Sequence, residues 1–131
     1  MSSPSLRALA VLGGVYDLAL ALPMMLAPEF LARLFGAPPP VPIVNAQLNG
    51  LFTLTLALGY FWCAQNVDAR RGYLWVAGVF VKVLGAALFI GDHFLRGSPS
   101  SFLLFAATDG SIGLVTLVAL LRSTTTPGSG R

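Results

Sequence analysis

The sequence predicts an all-α polytopic membrane protein: an antiparallel four-helix transmembrane bundle with a short interfacial helix after the first span. Three observations predict it. Hydrophobic residues make up 56% of the chain and charged ones only 10%, against roughly 25% charged in soluble domains. The charges also avoid the apolar stretches. Of 8 basic and 5 acidic side chains, only Asp17, Lys82 and Asp109 lie inside apolar runs; the rest sit at their ends or between them. Finally, there are four such runs, each about 20 residues long, which as a helix covers roughly 30 Å of hydrocarbon.

The first span covers about residues 6–27. Asp17 interrupts it, and the run is longer than a signal-peptide core, so the stretch reads as a retained span rather than a cleaved leader. Pro23 is placed to kink its far end. Residues 28–36 (PEFLARLFG) open with proline and close with glycine, the signature of a short helix. Phe30, Leu31, Leu34 and Phe35 give it an apolar side, and it is too short to span, so it is expected in the membrane interface. Residues 37–42 (APPPVP) form a stiff extended connector. The second span, about 44–64, opens with Asn45, Gln47 and Asn49. A polar loop leads to the third span, about 72–91, which carries Lys82 near its midpoint. Residues 92–100 (DHFLRGSPS) read as a turn. The fourth span is about 101–121, and residues 122–131 read as a polar, disordered tail. The whole of 1–121 is then one transmembrane domain.

Loop charges set the orientation. With four spans, Arg7, Arg70, Arg71, Arg122 and Arg131 share one side and Arg33 and Arg96 the other. This bias places both termini in the cytoplasm of a multi-pass protein of the cell membrane. In that frame Asp17, Lys82, Asp109 and Asn49 lie roughly 15, 13, 12 and 8 Å below the outer boundary, at 1.5 Å per residue. Four helices therefore place polar groups in one slab. At α-helical spacing the Lys82 face carries Trp75, Gly78, Phe89 and His93, and the Asp17 face carries Ala10, Gly13, Ala21 and Met24. Phe105, Gly113 and Thr116 share the Asp109 face, and Asn45, Thr53 and Tyr60 share that of Asn49. Small residues beside polar ones are typical of helix contacts in lipid, so the charges are expected to point inward.

Charges in hydrocarbon cost several kcal/mol unless paired or hydrated. One reading is therefore a wet layer of Asp17, Lys82, Asp109 and Asn49 that binds or conducts a proton, ion or small ligand from the non-cytoplasmic side. Asn45, Asp92 and His93 are secondary candidates, His93 as a point where a proton could enter. The other reading is a structural or accessory subunit in which the charges only fix helix packing. The chain has a single cysteine, Cys63, and a single histidine, which leaves no metal-ligand spacing. No phosphate loop or nucleophile–histidine–acid set appears, so no catalytic residue or cofactor is assigned and an enzyme is not expected. A net charge of +3 without any basic cluster beyond Arg70-Arg71 argues against nucleic acid. The expected partner is the bilayer, and a homo-oligomer or a membrane partner stays open.

The glycine-rich first span (LGGVYDLALALPMMLAP), the LARLFG segment and a second span opening NAQLNGLF and carrying LALGY resemble the small four-helix bacterial membrane proteins of the DoxX-like group. The resemblance covers most of the chain. It implies a four-helix fold and no particular chemistry.

Overall fold

The computed structural model describes residues 4–124. Among them the chain is helical throughout its regular structure, without a strand. In order the helices are α1 (Pro4–Leu26), α2 (Pro28–Leu34), α3 (Ile43–Gln65), α4 (Arg71–Arg96) and α5 (Ser100–Thr124). Two are not uniform. Leu74–Val81 of α4 is a π-helix, and α5 opens with a 3-10 turn, Ser100–Phe102. Three helices, α1, α4 and α5, are long and apolar enough to cross a membrane. α3 has a comparable 23 residues, but Asn45, Gln47, Asn49 and Gln65 dilute its apolar character. The fourth apolar stretch counted in the sequence thus falls short on composition, not on length.

Two helix ends depart from the sequence reading. Instead of a turn at 92–100, α4 continues through Arg96. Asp92 and Arg96, one turn apart, pair at 2.7 Å on its exposed side. Gly97 then adopts φ 71°, the left-handed conformation that closes a helix. Hydropathy marks where a chain leaves hydrocarbon, whereas capping marks where the helix stops. In the same way α5 runs on to Thr124, so residues 122–124 are helix rather than tail. The remainder of the expected tail, 125–131, lies outside the described residues.

The long helices pack as two antiparallel pairs. Between α1 and α3, Gly13 faces Tyr60, Gly14 faces Phe61, and Met25 faces Gly50. From the Gly13 contact to the Met25 contact the numbers rise along α1 while they fall from Tyr60 to Gly50 along α3. A Cβ on Gly13 would lie 2.8 Å from the Tyr60 ring, so only glycine permits this approach. Between α4 and α5 the order is again inverse: Gly78 meets Thr116, Lys82 and Val83 meet Gly113, and Ala86 meets Gly110. Tyr73 links the pairs at one end by donating its hydroxyl to the Leu56 carbonyl at 2.5 Å.

One half of the molecule is solid and the other is hollow. Leu6, Ala10, Tyr60, Cys63, Val67, Leu74 and Leu120 form a fully buried core around the loop that joins α3 to α4. Arg71 fastens that end by donating to the Ser123 hydroxyl and to the Leu120 carbonyl. The opposite half carries α2 and the connector. α2 begins at Pro28 and is followed by Gly36 at φ 65°, as its sequence predicts. Its apolar side splits, however. Phe30 and Leu34 are exposed, while Leu31 and Phe35 line a cavity between the helices. Ser101 donates to the Phe35 carbonyl and pins α2 to the start of α5. The connector holds no helix or strand, and its last peptide, Val41-Pro42, is cis.

Candidate functional site

Where the solid half meets the hollow one, Lys82 lies between two aspartates. Its ammonium donates to Asp17 Oδ1 and stands 3.1 Å from Asp109 Oδ1. The three side chains are 5%, 3% and 15% exposed. The sequence-derived triad is therefore assembled in space from α1, α4 and α5. Its two arms differ. Asp17 accepts a hydrogen bond, whereas Asp109 Oδ1 lies within ion-pair distance yet accepts none. The Asp109 contact is accordingly coulombic and poorly aligned, and the Asp17 contact is the stronger. Asp17 Oδ2 and the buried Tyr60 hydroxyl have no hydrogen-bond partner within the protein.

The local helix geometry explains how Lys82 reaches this position. Two turns of α-helix cover about seven residues, which would put Trp75 beneath Lys82. The π-helical stretch that ends at Val81 widens each turn, and Leu74 takes that buried place instead. Trp75, expected on the Lys82 face, is 39% exposed, while Leu74 is fully buried. Ala77 and Gly78 continue the buried stripe below Lys82, and Ala86 lies above it. Such π segments recur at functional positions in helices. No residue pattern in the apolar run LWVAGVFV distinguishes it from ordinary helix.

Tyr16, the neighbour of Asp17 in the chain, is a site residue that the sequence reading missed. Its ring lies 4.6 Å from the Lys82 ammonium, a cation–π contact. Its hydroxyl is 2.5 Å from Thr108 Oγ1. Because Thr108 donates to the Leu104 carbonyl at 2.8 Å, Tyr16 is the donor of that pair. Both residues adjoin the acids, in Tyr16-Asp17 and Thr108-Asp109, and that adjacency was the available signal.

Above the triad the hollow half holds a partly open cavity of about 550 Å³. Asp17, Lys82 and Asp109 line its floor, with Asn49 and Thr53 on the α3 wall. Phenylalanines, prolines and aliphatic side chains make up the rest, including Leu31 of α2, Phe35 just after it, and Pro38 and Pro40 of the connector. The short helix and the proline run thus serve as walls of a chamber. Phe105 stacks against Phe35 at 4.7 Å and against Phe89 at 5.3 Å, joining α2, α4 and α5 around it.

The other candidates separate clearly. Both asparagines are exposed; Asn49 lines the cavity and Asn45 does not. Asp92 is spent on Arg96, and His93 Nδ1 lies 2.7 Å from the Ser98 carbonyl just beyond the end of α4. None of Asn45, Asp92 and His93 joins the polar layer, because each finds a partner or solvent at a helix end. Among the described residues no group of three or more His, Cys, Asp or Glu side chains could hold a metal ion. The arrangement can hold a charge or hydrogen-bond a polar head beneath an apolar chamber. No known protein family, curated protein or solved structure matches this chain.

Proposed function

We propose that this chain is a four-span protein of the cell membrane, with both termini cytoplasmic, that binds a small ligand in the cavity above Asp17, Lys82 and Asp109. In this reading α3 is the fourth span, and Asn49 of its polar opening lines the chamber. The DoxX-like resemblance implies the same four-helix layout. One observation carries the reading: the cavity rests directly on the buried ions. A layer that served only to fix helix register would be sheathed in packed side chains, as the other half of the molecule is. Its volume falls within the range of about 300–1,000 Å³ usual for small-molecule sites. The ligand reaches it through the half that carries α2 and the connector, since the opposite half is closed by the packed core.

A structural subunit is the second reading, favoured by the pairing of Lys82 with both acids. Thiol accessibility separates the two. In a Cys63→Ala background, single cysteines are placed at Gly85 and Asn49 in the cavity lining and at Ala77 in the packed half. A Cβ on Gly85 meets no atom within 4 Å, so that substitution leaves the packing intact. Intact cells are then treated with a membrane-impermeant thiol reagent. Labelling at 85 and 49 but not at 77 is expected. If neither cavity position labels in intact or in permeabilised cells, the chamber is closed and the structural reading holds.

A further inference from the structure

We propose that the cavity takes a monovalent organic cation with an apolar body, such as a quaternary or protonated amine joined to hydrocarbon; this rests on the ligand-binding reading above. The charge count points there. Among the described residues the cavity lining carries one cation, Lys82, against two carboxylates, Asp17 and Asp109. Lys82 is hydrogen-bonded to Asp17, which leaves Asp109 as the surplus charge. Asp109 is also the more accessible acid, at 15% exposed against 3%. A buried surplus charge is costly until something of opposite sign accompanies it.

The second observation is the unpartnered carboxylate oxygen of Asp17. Its side chain is 3% exposed and lines the chamber, and Oδ2 meets no donor within the protein. Oδ2 is itself fully buried, so it bears on a ligand through its unmet charge rather than by direct contact. The walls suit the remainder of such a ligand. Phe35, Phe52, Phe89, Phe102 and Phe105 all line the cavity. Aromatic faces attract ammonium groups and accept hydrocarbon equally well. An anion would meet net negative charge here, and a neutral molecule would leave the layer unbalanced. Lys82 opposes the incoming cation less than its charge suggests, because Asp17 already neutralises it at closer range than Asp109 does.

Three probes of one shape test the idea: benzyltrimethylammonium, its uncharged carbon isostere neopentylbenzene, and benzylsulfonate. Binding to the purified full chain is measured by titration calorimetry, for wild type and for Asp109→Asn. That variant keeps the Lys82–Asp17 pair and makes the layer neutral. The ammonium probe should bind wild type and lose about tenfold or more in the variant. The isostere should bind both proteins alike, and the sulfonate neither. Asp109→Glu, which restores the charge, should recover ammonium binding even if the asparagine variant folds poorly. Equal ammonium binding by wild type and Asp109→Asn, or an isostere that matches the ammonium on wild type, overturns the cation. Either result would mean that the layer balances itself with a proton. No ammonium binding while Gly85→Cys still labels likewise overturns the cation and leaves the accessible cavity standing. Loss of both removes the ligand-binding reading as well.

Discussion

At the scale of single residues, the position of Lys82 decides the energetics of the interior. The ammonium meets Asp17, Asp109 and the Tyr16 ring within one small volume. Deleting it strands two carboxylates that are 3% and 15% exposed. Lys82→Met should therefore destabilise the protein by about 3–5 kcal/mol, the usual cost of leaving a buried charge uncompensated. Asp17→Asn should cost more than Asp109→Asn, because only Asp17 accepts a hydrogen bond from the lysine. Combining all three substitutions removes every charge and should recover part of the loss. Thermal melts in detergent measure the series, and a triple variant that melts no higher than Lys82→Met would show that the charges do not act as a unit. These three residues were legible in the sequence because a charge inside an apolar run has few destinations. Asn45, Asp92 and His93 were not, since polar groups near helix ends find water or local partners, as Asp92 does with Arg96.

At the scale of elements, small residues decide where helices touch and where they stay apart. Gly13 and Gly85 look alike in sequence, each inside an apolar helix near a buried charge. A Cβ on Gly13 would fall 2.8 Å from the ring of Tyr60, which is itself buried and cannot withdraw. Gly13→Ala should therefore cost about 1–3 kcal/mol by overpacking the α1–α3 contact. A Cβ on Gly85 meets nothing within 4 Å, so Gly85→Ala should be neutral or gain about 0.5–1 kcal/mol from helix propensity. Melting the two variants side by side tests this assignment of touching and open faces, and equal losses would contradict it. Helix number and rough extent were legible from apolar length. The π stretch Leu74–Val81 was not, because the register of Lys82 is set by what packs around it and not by its neighbours in sequence. The true end of α4 was written in Gly97, but the charges of Asp92 and Arg96 drew the boundary earlier.

At the scale of the whole molecule, the division into a solid half and a hollow half gives the arginines a second meaning. Arg70 and Arg71 belong to the solid end: Arg70 lies 4.2 Å over the Trp62 ring, and Arg71 reaches across to Leu120 and Ser123. Arg7 starts α1 and Arg122 ends α5 at that same end, whereas Arg33 and Arg96 lie at the hollow end. The slab of charges was legible from helix rise alone. The chamber above it was not, since it exists only because α2 and the proline connector fold over the ends of the long helices. Arginine bias predicts that the solid end faces the cytoplasm, and the cavity then opens to the other side. Fusing reporters after Arg131 checks this: one that matures only in the cytoplasm, and one that matures only beyond the membrane. The first should be active and the second silent, and the same pair fused within the connector, at Pro39, should give the reverse. Activity of the outer reporter at Arg131 with cytoplasmic activity at Pro39 would invert the protein and open the chamber to the cytoplasm. Activity of one reporter at both positions would instead remove a span, and α3 would be the one to lose, because its amino-terminal turns carry Asn45, Gln47 and Asn49.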